Sequence, residues 1–169
     1  MNKPALLLLA AALAVLPAGL AQAQVVRPAP DFAWAPGQTL RSWRGQPVVL
    51  VIAPSPLSKE FRAQSKKIER GYQQFAARKV IFVAAFTQAG AENGSLCTNV
   101  PFVIAPNGAE IACRYGTRVF SLNVIGRDGN LDLSSCKVES PWKIMDMIRN
   151  NAEQQASERK DLRLTPVIQ

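Results

Sequence analysis

The stretch Pro47-Val48-Val49-Leu50-Val51-Ile52-Ala53-Pro54-Ser55-Pro56-Leu57-Ser58-Lys59-Glu60-Phe61 decides the fold. The apolar run Val48 to Ala53, rich in β-branched side chains, predicts a strand buried on both faces. Pro54-Ser55-Pro56 stops it, and Ser55 followed by Pro56 predicts a helix N-cap with proline in the first turn. Phe61, Ile68, Tyr72 and Phe75 then recur at near-helical spacing, opposite Lys59, Arg62, Lys66 and Arg70, so a long amphipathic helix should close near Ala77. The basic stripe reads first as an ordinary solvated face, with a specific anion site as the alternative.

Downstream, Val80 to Phe86 is a second buried run, and strand, helix, strand in this order implies a right-handed parallel βαβ unit. Gln88 to Asn99 is a loop with two glycines. A short strand at Phe102-Val103-Ile104 follows Pro101, and Asn107-Gly108 marks a turn before a brief helix from Ala109 to Tyr115, closed by Gly116. Val119 to Ile125 and Asn130 to Leu133 flank Gly126-Arg127-Asp128-Gly129, which predicts an antiparallel hairpin. Ser140-Pro141 starts a final helix with Trp142, Met145 and Ile148 on one face.

Upstream, Lys3, the apolar stretch Ala5 to Leu16, the breakers Pro17 and Gly19, and Ala21-Gln22-Ala23 follow the order of a cleavable export signal, with the cut after Ala23. No cysteine follows that cut, so a lipoprotein anchor is not indicated. No stretch approaches the roughly 20 apolar residues of a membrane helix. The expected organisation is a signal peptide at 1–23, an extended Pro-rich lead-in at 24–46, one domain at 47–152 and a polar tail at 153–169.

Composition narrows the chemistry. The chain carries 20 Lys and Arg against 12 Asp and Glu, a net charge of +8, one less without Lys3. Such a surplus favours anionic surfaces, such as membrane lipid or cell-wall polymer; nucleic acid is not an expected partner. There is no histidine, which excludes a Ser-His-Asp or Cys-His site, a histidine general base and zinc sites that need imidazole. No metal or cofactor is expected.

The order βαβ, hairpin, terminal helix is that of the thioredoxin core, an α/β fold with a central mixed β-sheet and helices on both faces. Pro30-Asp31-Phe32, followed by Leu40-Arg41-Ser42-Trp43-Arg44-Gly45-Gln46-Pro47-Val48-Val49-Leu50, resembles the opening of a peroxiredoxin. Val100 to Gly108, with Ala112 and Tyr115-Gly116 behind it, is similar to the stretch that follows that family's parallel unit. Val124 to Gly129 resembles its closing hairpin. The C-terminal half, with Gly126-Arg127-Asp128-Gly129 and the Trp142 to Arg149 helix, also resembles an uncharacterised thioredoxin-like family of small exported bacterial proteins.

The resemblance implies a nucleophilic cysteine where the first buried strand meets its helix, because helix N-terminal amides favour a thiolate. None stands there. Aligning Ser58-Lys59-Glu60 with the Thr-x-Glu after a peroxiredoxin's cysteine puts Leu57 at the cysteine's place. Counting back from Gly129 puts Phe120 where thioredoxins carry their cis-proline. Arg118 lies near the place of the peroxiredoxin active-site arginine, out of register with it. Ser55 and Ser58 have no evident base to activate them, and capping is the better expectation for Ser55.

Three cysteines remain, Cys97, Cys113 and Cys136. Cys97 lies in the loop after the second strand and Cys113 in the short helix returning towards it, whereas Cys136 follows the last strand at the far edge of the sheet. The expectation is therefore a Cys97–Cys113 disulfide, with Cys136 free or joined to a partner chain. The leading function is an exported, redox-inactive binding or structural module of the cell envelope, with another envelope protein as partner. The alternatives are a thiol oxidoreductase or peroxidase using Cys97 or Cys113, and a basic protein that binds anionic polymer.

Overall fold

A computed structural model describes residues 27–150 and Glu153. The expected signal peptide and, apart from Glu153, the expected polar tail lie outside the described residues. In chain order the elements are β1 (Ala33–Ala35), β2 (Gln38–Thr39), a 3₁₀ turn (Leu40–Trp43), β3 (Val48–Ala53), α1 (Lys59–Arg70), α2 (Tyr72–Ala77) and β4 (Ile81–Phe86). There follow a second 3₁₀ turn (Ala91–Asn93), β5 (Phe102–Ala105), α3 (Gly108–Arg114), β6 (Ser121–Ile125), β7 (Leu131–Ser135) and a helix α4 over 141–150.

The main sheet runs β5-β4-β3-β6-β7. β3 pairs parallel with β4, β4 parallel with β5, and β3 antiparallel with β6, which pairs antiparallel with β7. The sheet is thus mixed, with β3 at its centre. Alternation along β3 assigns its side chains to two layers. Val49, Val51 and Ala53 join Phe61 and Ile68 of α1, Phe75 of α2, and Ile144, Met145 and Ile148 of α4. Val48, Leu50 and Ile52 face the other way, against Ile111 and Ala112 of α3 and against Phe32 and Leu40. Both faces are covered, which is why the run is apolar throughout rather than alternating.

The segment before β3 does not run extended over the surface. β1 and β2 form an antiparallel hairpin, Pro28 bridges Asn130, and Phe32 and Leu40 are buried in the α3 layer. Trp34 and Trp43 stack at 4.4 Å, and the Trp34 indole N–H donates to the Thr39 carbonyl at 3.1 Å. The prolines there do not prevent burial, because Phe32 and Leu40 flank the hairpin and are joined by the bond from the Leu40 amide to the Phe32 carbonyl at 2.9 Å.

The long helix expected to Ala77 breaks at Gly71. A β-carbon on Gly71 would lie 3.1 Å from Cβ of Pro141, so the start of α4 occupies the space a straight helix's side chain would need. α3 ends as expected, with the Gly116 amide donating to the Cys113 carbonyl and the Thr117 amide to the Ala112 carbonyl. Its start is tighter still: a β-carbon on Gly108 would come within 2.0 Å of the Phe86 carbonyl oxygen, so the backbone of α3 rests directly on the end of β4.

On α4 the buried stripe is Ile144, Met145 and Ile148, and Trp142 is 71 % exposed rather than on the core face. Trp142 and Met145 satisfy an i, i+3 rule, yet the face is centred between Ile144 and Ile148, one residue round the helix. A polar clasp ties this region to α1. Gln64, fully buried, receives the Glu139 amide at 2.8 Å and donates to the Glu139 carbonyl at 3.3 Å. The Glu139 carboxylate accepts from Ser135 Oγ at 2.6 Å and Lys143 Nζ at 2.8 Å, bonds that hold its carboxyl below the usual range.

Candidate functional site

β3 delivers the chain to the C-terminal edge of the sheet at Ala53. The β4 strand end holds it there, the Thr87 amide donating to the Ala53 carbonyl and the Gln88 amide to the Pro54 carbonyl, both at 3.0 Å. A tight turn follows, with the Ser58 amide donating to the Ser55 carbonyl at 3.1 Å. Pro56 is buried and Leu57 stands 71 % exposed at the tip.

Ser58, not Ser55, occupies the N-cap position of α1. Its hydroxyl donates back to the Ser55 carbonyl at 2.9 Å and makes no cap bond. The proline at 56 thus shapes the turn before the helix instead of its first turn, and the helix starts three residues later than the Ser-Pro signal predicts. Among the described residues neither serine is hydrogen-bonded to a titratable side chain.

The opposite wall comes from the approach to β6. Ile52 pairs with Ser121, which sets Phe120 beside the end of β3. Phe120 is buried in the same cluster as Ala53, Phe61 and Phe86. Its peptide bond is trans, as are all those among the described residues. Thr117 Oγ1 donates to the Phe120 carbonyl at 3.3 Å, closing a loop on which Arg118 and Val119 are exposed, Val119 by 61 %. Leu57 follows the end of β3, and Arg118 and Phe120 precede the strand paired with it, so all three belong to one end of the sheet, where the Phe120 ring is packed into the core. Val119 sits in a run that reads as strand from the sequence, but β6 starts only at Ser121 and leaves it exposed.

The cysteines lie elsewhere. All three thiols are free and exposed, so the expected Cys97–Cys113 bridge is not formed in this structure. The chain around Cys97 is anchored on one face of the sheet, with Leu96 and Val100 packing into the α1 layer, while Ile111 and Ala112 bind the helix carrying Cys113 to the other face. Cys97 has φ +47° in its loop, and its sulfur lies 3.9 Å from Ser95 Oγ. Cys136 follows β7, at the sheet edge opposite β5.

The other end of β3 is open. A cavity of about 390 Å³ is bounded by Val48 and Ile125 and rimmed by Arg41, Trp43, Arg44 and Asp128. Near it, the Tyr115 hydroxyl donates to the Pro30 carbonyl at 2.9 Å, and burial, with Asp31 adding to it, pushes the phenol well above its ordinary value. A polar pair that sequence reading missed lies inside the same layer: Asn123 and Ser121, both buried, joined by a 2.9 Å bond from the Asn123 amide to Ser121 Oγ. It follows from strand register, which turns these two residues inward beside Leu50 and Ile52. Among the described residues no group of three His, Cys, Asp or Glu side chains is placed to hold a metal ion, and no helix is long and apolar enough to cross a membrane.

No protein-family model matches the chain, and no curated protein is detectably similar in sequence. Solved structures are similar in fold. The reduced 2-Cys peroxiredoxin of Plasmodium vivax superposes with a TM-score of 0.61 at 13 % identity, over 76 % of this chain and 96 % of that one. The peroxidoxin BcpB of Mycobacterium tuberculosis gives 0.57 at 17 %, over 74 % and 96 %. A candidate thiol:disulfide interchange protein DsbE of Chlorobium tepidum gives 0.55 at 18 %, over 79 % and 95 %. The fold of this chain is thioredoxin-like, of the peroxiredoxin type, and at such identities the likeness speaks for the fold alone.

Proposed function

We propose that this thioredoxin-fold chain is an exported, redox-inactive module that binds a partner protein of the cell envelope. The observation that carries the reading is the pole where β3 meets α1. Leu57 stands where the fold's nucleophile is expected, Phe120 packs the cleft behind it, and neither Ser55 nor Ser58 is hydrogen-bonded to a titratable side chain. Leucine can neither attack a peroxide nor open a disulfide. What the pole offers is recognition: Leu57 and Val119 are two of the three large apolar side chains exposed among the described residues, with Arg118 next to Val119 in the chain and Lys59 two residues beyond Leu57. An apolar surface rimmed by cations suits a protein segment with apolar and acidic side chains. Export is supported by the leader pattern at 1–23.

A second reading, a thiol oxidoreductase or peroxidase working through Cys97 or Cys113, draws support from the three free, exposed thiols and from the names of the similarly folded proteins. Peroxide consumption and insulin disulfide reduction by the purified chain separate the two. The expected result is no turnover above background in the parent or in Cys97→Ser, Cys113→Ser and Cys136→Ser. Turnover in the parent that disappears with any one of these serines would establish the second reading instead.

A further inference from the structure

Trp142 is the third large apolar side chain left exposed, and it lies far in the chain from the Leu57 turn. It borders a shallow hollow of about 490 Å³ between α2 and α4, which Arg78, Lys143 and Arg149 also line. A second hollow, about 500 Å³, runs along the α1–α2 junction past Arg70, and Gln74 lines both, so Arg70 and Arg78 belong to one continuous surface. The close approach of Gly71 to Pro141 sets Trp142 beside that junction.

Four cations on this surface, Arg70, Arg78, Lys143 and Arg149, face three carboxylates, Glu69, Glu139 and Asp146, of which Glu69 lines the second hollow and accepts from the Asn99 amide. Glu139 is bonded to Lys143 and Asp146 to Arg149, each at 2.8 Å. Neither Arg70 nor Arg78 is in an ion pair among the described residues. The face therefore combines a protruding indole with an excess of one cation and with two arginines outside any ion pair, on a chain whose net charge is +8.

We infer that this face docks on an anionic phospholipid bilayer, with Trp142 seated at the headgroup level and Arg70 and Arg78 on the lipid phosphates. Indole is amphipathic and partitions to the membrane–water interface, and basic side chains gain from the negative surface potential. A protruding ring needs a matching pocket in a protein partner, whereas a bilayer deforms around it. A soluble anionic polymer would use the cations and leave the indole without a role. The inference shares no residue with the Leu57 pole and does not rest on the function proposed there.

The test is co-sedimentation of the chain from Gln24, which keeps every described residue and both core layers, with phosphatidylcholine vesicles that contain or lack phosphatidylglycerol. Binding is expected only with phosphatidylglycerol, accompanied by a blue shift of tryptophan emission. Trp142→Ala should weaken it about tenfold and abolish most of the shift. Arg70→Ala with Arg78→Ala should weaken it about twentyfold, at roughly fivefold per cation. The charge-matched pair Arg44→Ala with Arg127→Ala should leave it nearly unchanged. All five positions are solvent-facing or partly so, and circular dichroism verifies folding. Absence of binding to phosphatidylglycerol vesicles, equal loss in the charge-matched pair, or unaltered binding by Trp142→Ala would overturn the inference. So would polyglutamate bound as tightly as the vesicles, which would indicate an acidic protein or polymer as the occupant.

Discussion

The two ends of β3 are built on opposite terms. At its C-terminal end the turn 54–58 and the Phe120 loop close over an aromatic cluster and leave Leu57 and Val119 outside; at its start a cavity of about 390 Å³ lies open beside Trp43, Arg41 and Arg44. The comparison teaches that the frame of a reactive site and its chemistry are separable. β3, α1 and the approach to β6 supply the helix N-terminus and the facing loop, while the side chains that would use them are apolar.

The comparison can be broken most severely at Gly108, which seats α3 on the end of β4 on the closed side. Gly108→Ala drives a methyl into backbone atoms of Phe86, and a loss of about 3 kcal/mol or more is expected in denaturant unfolding. Next comes Phe120→Ala, which removes the ring that packs the cleft. It should cost about 3–4 kcal/mol and open a cavity without creating peroxide turnover, since Leu57 still stands at the junction. At the open end, Trp43→Ala removes a half-exposed stacking partner, and about 1–2 kcal/mol is the expected loss.

Tyr115 and Glu139 sharpen the contrast through pH. The raised phenol of Tyr115 favours the protonated fold, so its contribution is complete below the ordinary tyrosine value near 10 and is lost as pH rises above it. Alkaline absorbance titration should find this tyrosine resistant until the protein unfolds, and Tyr115→Phe should lose about 1 kcal/mol with the bond to Pro30. Glu139 has the reverse sign. Its lowered carboxyl contributes above the ordinary carboxylate range, and the contribution fades as pH falls through the lowered value. Glu139→Gln should flatten the acid limb of a stability profile and cost about 0.5 kcal/mol, the smallest effect here.

Much of the frame was legible because local pattern and tertiary fate coincide. Val48–Ala53 is apolar at every position, and the structure buries every position. The Gly-Arg-Asp-Gly turn between β6 and β7 reads directly. What escaped was set by residues distant in the chain. Gly71 breaks the helix because Pro141 lies against it, and Phe32 and Leu40 are buried because a Pro-rich segment folds back as a hairpin. At the site, Leu57 and Phe120 could be located by counting. The anchoring of Cys97 and Cys113 to opposite faces of the sheet could not, because it is a property of packing. The exposure of Trp142 depends on a helix rotation of one residue, finer than an i, i+3 rule resolves.

Central to this reading is that the β3–α1 junction keeps a strand-to-helix frame that can favour a thiolate, with leucine where a thiol would stand. Alkylation of Leu57→Cys, in a chain whose three native cysteines are serine, tests it directly. If the α1 N-terminus still favours a thiolate, the half-maximal alkylation rate falls clearly below pH 8.5, the value of an ordinary thiol. A thiol at position 57 that titrates at or above that value would contradict the claim.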